Sequence, residues 1–242
     1  LVLWIVATFT AFFIKGLCGF ANTLIFTSIM GFGAANVSIS PVELLLGYPA
    51  NIILTFKNRK KFKISVFAPL ALLVIVGSIP GALLLKSIDV RYLKIICGFV
   101  IVLIGAEMFY REFRTSKVRE SKIVLTIIGL LSGMLCGLFG IGALLAAYVG
   151  RVTESSDEFK ANISAVFIVD NTFRVILYSL LGVITFETLR SAVVLMPVVL
   201  LGLFLGMKSA QILNDRIVKK CVIVLLIISG IALIVNNMNL SA

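Results

Sequence analysis

Asp170, Asn171 and Arg174 stand in the middle of an apolar run over residues 161–181. A charge placed there costs roughly 2.5–3.5 kcal/mol to insert into a membrane, so each demands a reason. Asp170 and Arg174 are four positions apart and share one face of a helix, where they can pair. Arg174 can neutralise an anion while Asp170 orients it; the plainer alternative is an ion pair that only sets packing. Ionisable groups inside apolar runs mark pathways for polar solutes, which favours the binding role. Asn51 lies 120 positions before Asn171, at the matching point of another apolar run, 42–56. Gly47, Asn51 and Thr55 recur at four-residue spacing and give that helix a small polar stripe. Such residues also serve interhelical hydrogen bonding, yet asparagines at matching depth fit a shared site.

A repeated tetrapeptide supplies the other wall. Leu17-Cys18-Gly19-Phe20 recurs as Leu135-Cys136-Gly137-Leu138, 118 positions later. Each Cys-Gly interrupts a pair of short apolar segments, 1–14 with 17–33 and 122–135 with 137–149. A helix that restarts after a break exposes N–H groups with no intrahelical partner and partial positive charge, a geometry that binds small oxyanions. Restarts at Gly19, with Asn22 and Thr23 in the first turn, and at Gly137 would aim two such N-termini at the protein centre. Lys15 adds positive charge before the first break, unless it only snorkels to the membrane surface. The candidate binding set is therefore Arg174, Asn171, Asn51, Asp170, Gly19, Asn22, Thr23, Gly137 and Lys15. Cys18 and Cys136 read as small buried residues, and Gly77, Gly81, Gly202 and Gly206 as sites of ligand approach or of close helix packing in equal measure.

Two other deep acids have structural explanations. Ser40-Pro41-Val42-Glu43 reads as a capping box with proline at the first helical position, which makes Glu43 a helix cap. Glu107 stands one turn before Arg111 near a helix end, an i,i+4 pair.

The elements that must position these residues are membrane helices. Sixty per cent of the 242 residues are hydrophobic and only 14% are charged, with a mean hydropathy of +1.15. A soluble domain is nearer a quarter charged. The apolar segments 1–14, 17–33, 42–56, 64–85, 93–110, 122–135, 137–149, 161–181, 191–212 and 221–236 lack the alternation of barrel strands, which leaves an all-α integral membrane protein. The first run has no basic n-region or cleavage site and reads as a helix of the mature protein. Four cysteines with no histidine offer no metal-ligand set, and no cofactor is expected. A net charge of +11 sits in short loops, where positive-inside bias places it, so no nucleic-acid partner is expected.

The chain is built twice. Gly77-Ser-Ile-Pro-Gly81 recurs as Gly202-Leu-Phe-Leu-Gly206, and Asp89-x-Arg91 as Asn214-x-Arg216, both at an offset of 125. Residues 1–110 form a first membrane repeat, 111–121 a basic cytoplasmic linker and 122–242 a second repeat, together one transport unit. If each broken pair enters and returns on one side, each repeat is a hairpin plus three spans, and the second is inverted. Loops 57–63, 111–122, 151–160 and 208–220 then face the cytoplasm with most of the lysine and arginine. Full crossing by both pairs would send 151–160 and 208–220 outside, against the bias.

The run Gly129 to Gly142, with Phe159-Lys160-Ala161-Asn162 and Leu177-Tyr178 to Gly182, resembles the second half of the TauE/SafE sulfite-exporter family. Leu17-Cys18-Gly19-Phe20, the basic loop after Asn51 and Gly77-x3-Gly81 are similar to its first half, although that family's tips are richer in glycine. The resemblance implies a multi-pass protein of the cytoplasmic membrane that moves sulfite, sulfonates or related anions. Beside it, repeats around a midplane site point to a secondary transporter working by alternating access rather than an enzyme. A proton or sodium is the coupling ion to look for, Asp170 being the deep acid with no capping or helix-end role; the oligomeric state stays open. The alternative is an anion channel using the same positive helix termini. An intramembrane enzyme lacks a clustered acid–base set, and a cation transporter wants more than one deep carboxylate.

Overall fold

The computed structural model describes residues 2–30, 36–84, 90–112, 126–127, 129–133, 142–180 and 182–238. All regular structure among them is helical: α1 (Val2–Cys18), α2 (Asn22–Met30), α3 (Asn36–Lys57), a 3-10 turn (Arg59–Lys61), α4 (Ile64–Leu84), α5 (Val90–Glu112), a helical stretch 129–133, α6 (Ala143–Val152), α7 (Ser156–Leu180), α8 (Phe186–Ile212) and α9 (Asp215–Met238). The Glu107 and Arg111 side chains, Asp89, Cys136, Gly137 and most of the linker 111–121 lie outside the described residues.

Among the described residues, α7 with 25 residues and α8 with 27 are long and apolar enough to cross a membrane. At 1.5 Å per residue they run about 37 and 40 Å, beyond a hydrocarbon core of roughly 30 Å. Shorter apolar stretches occupy Val2–Cys18, Ile64–Ser78 and Ile101–Tyr110. The outer face of α8 exposes Val193, Leu201 and Phe204 while Leu195, Val199 and Leu203 are buried. Both faces of the helix are apolar, which suits a protein whose solvent is hydrocarbon. Thr185 starts α8 with a capping box: its hydroxyl accepts from the Thr188 N–H, and the Thr188 hydroxyl accepts from the Thr185 N–H.

Two boundaries differ from the sequence reading. The charge of Lys15 does not end the first helix, which continues to Cys18, because Lys15 is buried and finds a hydrogen-bond acceptor inside the protein. The third helix starts at Asn36, so Pro41 lies inside it and Glu43 is no cap.

Packing runs between distant parts of the chain. The helix α2 turns back along α1, with Trp4 edge-on to Phe26 at 5.8 Å between ring centroids. The most extensive contact among the described residues joins α1 to α8. A Cβ on Gly206 would collide with the Phe13 carbonyl oxygen, and one on Gly16 with that of Leu203, so the two backbones touch only because both positions lack a side chain. Residues 129–133 meet α4 in the same manner, a Cβ on Gly133 falling 2.9 Å from the Gly77 Cα. The helix α5 packs along α9, and α3 along α7. Gly77, Gly202 and Gly206 therefore serve close packing. At one end of the bundle the loop after α3 docks on the first turns of α7. There Lys63 Nζ pairs with Glu158 Oε1 at 2.9 Å, and the Lys63 N–H donates to Asn162 Oδ1 at 3.1 Å.

Candidate functional site

The break between α1 and α2 is made by two residues with left-handed backbone. Gly19 has φ +90°, and a Cβ there would lie 2.8 Å from Lys160 Cγ, so only glycine fits. Ala21 takes φ +72° without that exemption, a strain of the kind held at functional sites. Its carbonyl accepts the first helical hydrogen bond of α2, from the Ile25 N–H at 3.1 Å. The restart is thus at Asn22, three residues beyond the expected Gly19. The Gly19 N–H is already given to the Lys15 carbonyl at 2.6 Å, so Gly19 closes α1 and offers no free donor. The second restart is at Ala143, after Gly142, with no side-chain cap.

Both N-termini open on one small cavity of about 30 Å³, room for roughly two water molecules. Asn22 and Thr23 line it from α2, Gly142 and Ala143 from the start of α6, and Phe20 and Phe167 form apolar walls. The helix α1 contributes Lys15; α3 contributes Glu43 and Asn51; α7 contributes Asp170, Asn171 and Arg174. Seven residues of the expected set, Lys15, Asn22, Thr23, Asn51, Asp170, Asn171 and Arg174, are therefore brought together. Gly19 faces Lys160 instead, and Gly137 lies outside the described residues. Cys18 is fully buried in the apolar core as a free thiol, away from the cavity lining.

Lys15 is 1% exposed and does not snorkel: Nζ donates to Asn22 Oδ1 at 2.8 Å and stands 5.5 Å from the Phe167 ring centroid. The Asn22 amide nitrogen donates in turn to Glu43 Oε1, which also accepts from Thr23 Oγ1 at 2.9 Å. Gly47 keeps α3 open to this network, since a Cβ there would lie 3.3 Å from Asn22 Nδ2 and 3.8 Å from Asn171 Nδ2.

On α7, Arg174 and Asp170 share a face but use other partners. Arg174 Nη2 donates to Ser40 Oγ at 3.3 Å, and the guanidinium lies 5.4 Å from the Tyr178 ring centroid. Asp170 Oδ1 accepts from Ser78 Oγ at 3.4 Å, and the same hydroxyl donates to the Gly133 carbonyl at 3.0 Å. Lys63–Glu158 is the ion pair formed among the described residues, so the expected Asp170–Arg174 pair is not made. Arg174 Nε and Asn51 Oδ1 are buried with no hydrogen-bond partner. A buried, unpaired guanidinium N–H costs roughly 1–3 kcal/mol or more, and an acceptor arriving in the cavity removes that penalty.

The residue that sequence reasoning missed is Glu43, 2% exposed inside this network. Its signal was present: Gly47, Asn51 and Thr55 extend backwards by one four-residue step to position 43. Two cations, two carboxylates and two half-helix N-termini, each worth about half a positive charge, now face one cavity.

Half-helices that begin inside a bundle around buried charge are the architecture of membrane transport proteins. The chain belongs to the sulfite exporter TauE/SafE family, whose model matches residues 4–233, nearly its whole length. A membrane location and a transport role follow from that membership, with a small anion as the class of solute. No curated protein and no solved structure matches the chain significantly.

Proposed function

We propose that this protein is a secondary transporter that moves a compact sulfur oxyanion, sulfite or a small organosulfonate, across the cytoplasmic membrane by alternating access. The observation that carries it is Arg174: fully enclosed, with an unpaired Nε, in a cavity reached by the N-termini of α2 and α6. Arg174 supplies the formal charge; Asn51, Asn171 and the α2 and α6 N–H groups supply directed hydrogen bonds. The small cavity favours an ion of a few heavy atoms.

An inverted two-repeat organisation is supported by how contacts pair. The contact of α1 with α8 has its counterpart in residues 129–133 on α4, while α3 meets α7 and α5 meets α9, each helix against its equivalent. The Lys63–Glu158 pair brings loop 57–63 and the start of α7 to one end, as a hairpin topology requires. Rocking of one repeat against the other then alternates access to a fixed site.

Glu43 adds a second deep carboxylate, the feature a cation transporter needs. Lys15 and Arg174 offset both carboxylates in number, so the positive half-helix ends tip the cavity toward anions. The test is uptake of labelled sulfite into proteoliposomes with unlabelled sulfonates, sulfate and carboxylates as competitors. Saturable uptake blocked by sulfonates and not by carboxylates is the expected result. Uptake that rises linearly with driving force and shows no counter-exchange would make it a channel. No uptake of any sulfur oxyanion would overturn the proposal.

A further inference from the structure

The Glu43 carboxylate occupies the place an oxyanion would take at the N-terminus of α2. It accepts from the Asn22 amide nitrogen and from Thr23 Oγ1, the two polar side chains in the first turn of that helix. Both are therefore spent on an internal anion before any substrate arrives. Asn22 cannot turn away from it freely, because its other amide atom receives Lys15 Nζ at 2.8 Å. In the same cavity the Arg174 Nε–H remains unpaired. One half of the anion site is filled by the protein itself, and the other half is open.

Among the described residues, the charged groups that line this cavity with Glu43 are Lys15 from α1 and Asp170 and Arg174 from α7. Tyr178 of α7 stands beyond Arg174, at Ser40; α2 offers Asn22 and Thr23 only, and the buried face of α8 carries no titratable group. Asp170 is held by Ser78, off the α2 donors, and does not compete for them. The four side-chain charges cancel. Beyond them stand the positive α2 and α6 termini, and the ionised Glu43 occupies the α2 donors; a monoanion that takes its place there meets a carboxylate of like charge, which one proton on Glu43 removes.

We infer that Glu43 is the proton-binding site of the transport cycle: it holds the α2 half of the anion site when ionised and yields it to the substrate anion when protonated. One proton then travels with each monoanion, which makes the proton the coupling ion. A protonated Glu43 is the weaker acceptor and gives up the Asn22 amide to the arriving oxyanion, so proton and anion favour each other's binding reciprocally. The inference rests on the anion-transport proposal above.

The experiment uses reconstituted full-length protein, labelled sulfite and labelled methanesulfonate, and a pH dye trapped in the vesicles. Methanesulfonate keeps one charge at every working pH, which separates titration of the substrate from titration of the protein. In the wild type, entry of the transported anion should acidify the lumen. Its apparent affinity should fall about tenfold per pH unit once Glu43 is ionised, the slope of one linked proton. Glu43→Gln should bind the anion with no pH dependence and move it with no proton. Glu43→Asp keeps the titratable group on a shorter arm and should restore proton movement, which guards against a folding defect in the first variant. Anion entry without proton movement in the wild type would overturn the inference while leaving anion transport standing. Proton movement retained in a folded Glu43→Gln protein would also overturn it. Absence of uptake of either anion by the wild type would overturn the transport proposal and this inference with it.

Discussion

The two half-helix N-termini that meet in the cavity are furnished in opposite ways. The α2 end is crowded with side chains: Lys15, Asn22, Thr23 and Glu43 form one continuous hydrogen-bonded chain. The α6 end is bare backbone, with Gly142 against the Phe167 ring and no side-chain cap. The cavity's other cation, Arg174 of α7, is held by Ser40 of α3 and not by either terminus. The α2 terminus therefore carries a self-satisfied network, and the α6 terminus has no side-chain cap. On the proposed two-repeat organisation, the copies have kept the helix-terminus geometry and diverged in what fills it.

Removing the cation whose Nε is unpaired should have the largest effect. Arg174→Gln takes away the charge that has no carboxylate partner within ion-pair distance, and should weaken anion uptake by about 2 kcal/mol or more, roughly thirtyfold, in the proteoliposome assay. Lys15→Met should cost less affinity because Lys15 is already committed to Asn22: about tenfold in half-saturation. It should also lower the melting temperature, since the Asn22 oxygen is left buried and unpaired at roughly 1–3 kcal/mol. A drop after Lys15→Met equal to that after Arg174→Gln would erase the contrast between the two ends. Gly142→Ala tests the bare end directly. The new methyl collides with the Phe167 ring, and overpacking should lower stability by about 1–3 kcal/mol in thermal unfolding. The smallest effect is a gain: Ala21→Gly relieves the left-handed strain at φ +72° and should raise the melting temperature by about 2–4 °C.

Much of this site was legible because distance in sequence and depth in the membrane both left marks. The offset of 120 between Asn51 and Asn171 placed them in one cavity, and the apolar run around Asp170 and Arg174 marked both as deep. What failed was local grammar overruled by tertiary contacts. Ser40-Pro41-Val42-Glu43 matches a capping box, but the helix begins at Asn36 and Pro41 is carried inside it. The Asp170–Arg174 spacing allows a pair, yet Ser40 and Ser78 from other helices take the two side chains. The helix restart moved from Gly19 to Asn22 because the Gly19 N–H closes α1 and the turn needs two left-handed residues first. Which partner wins a buried polar group depends on helices distant in sequence, and no local spacing encodes that.

The most direct test of the central claim is to locate a heavy oxyanion in the protein. Selenite has the shape and charge of sulfite, and its selenium can be placed by anomalous diffraction from crystals of the selenite-soaked protein. The expected result is one strong peak in the cavity, within hydrogen-bonding reach of Arg174 Nε and the first N–H groups of α2 and α6. A peak elsewhere in the bundle, with this cavity empty and selenite uptake intact, would contradict it.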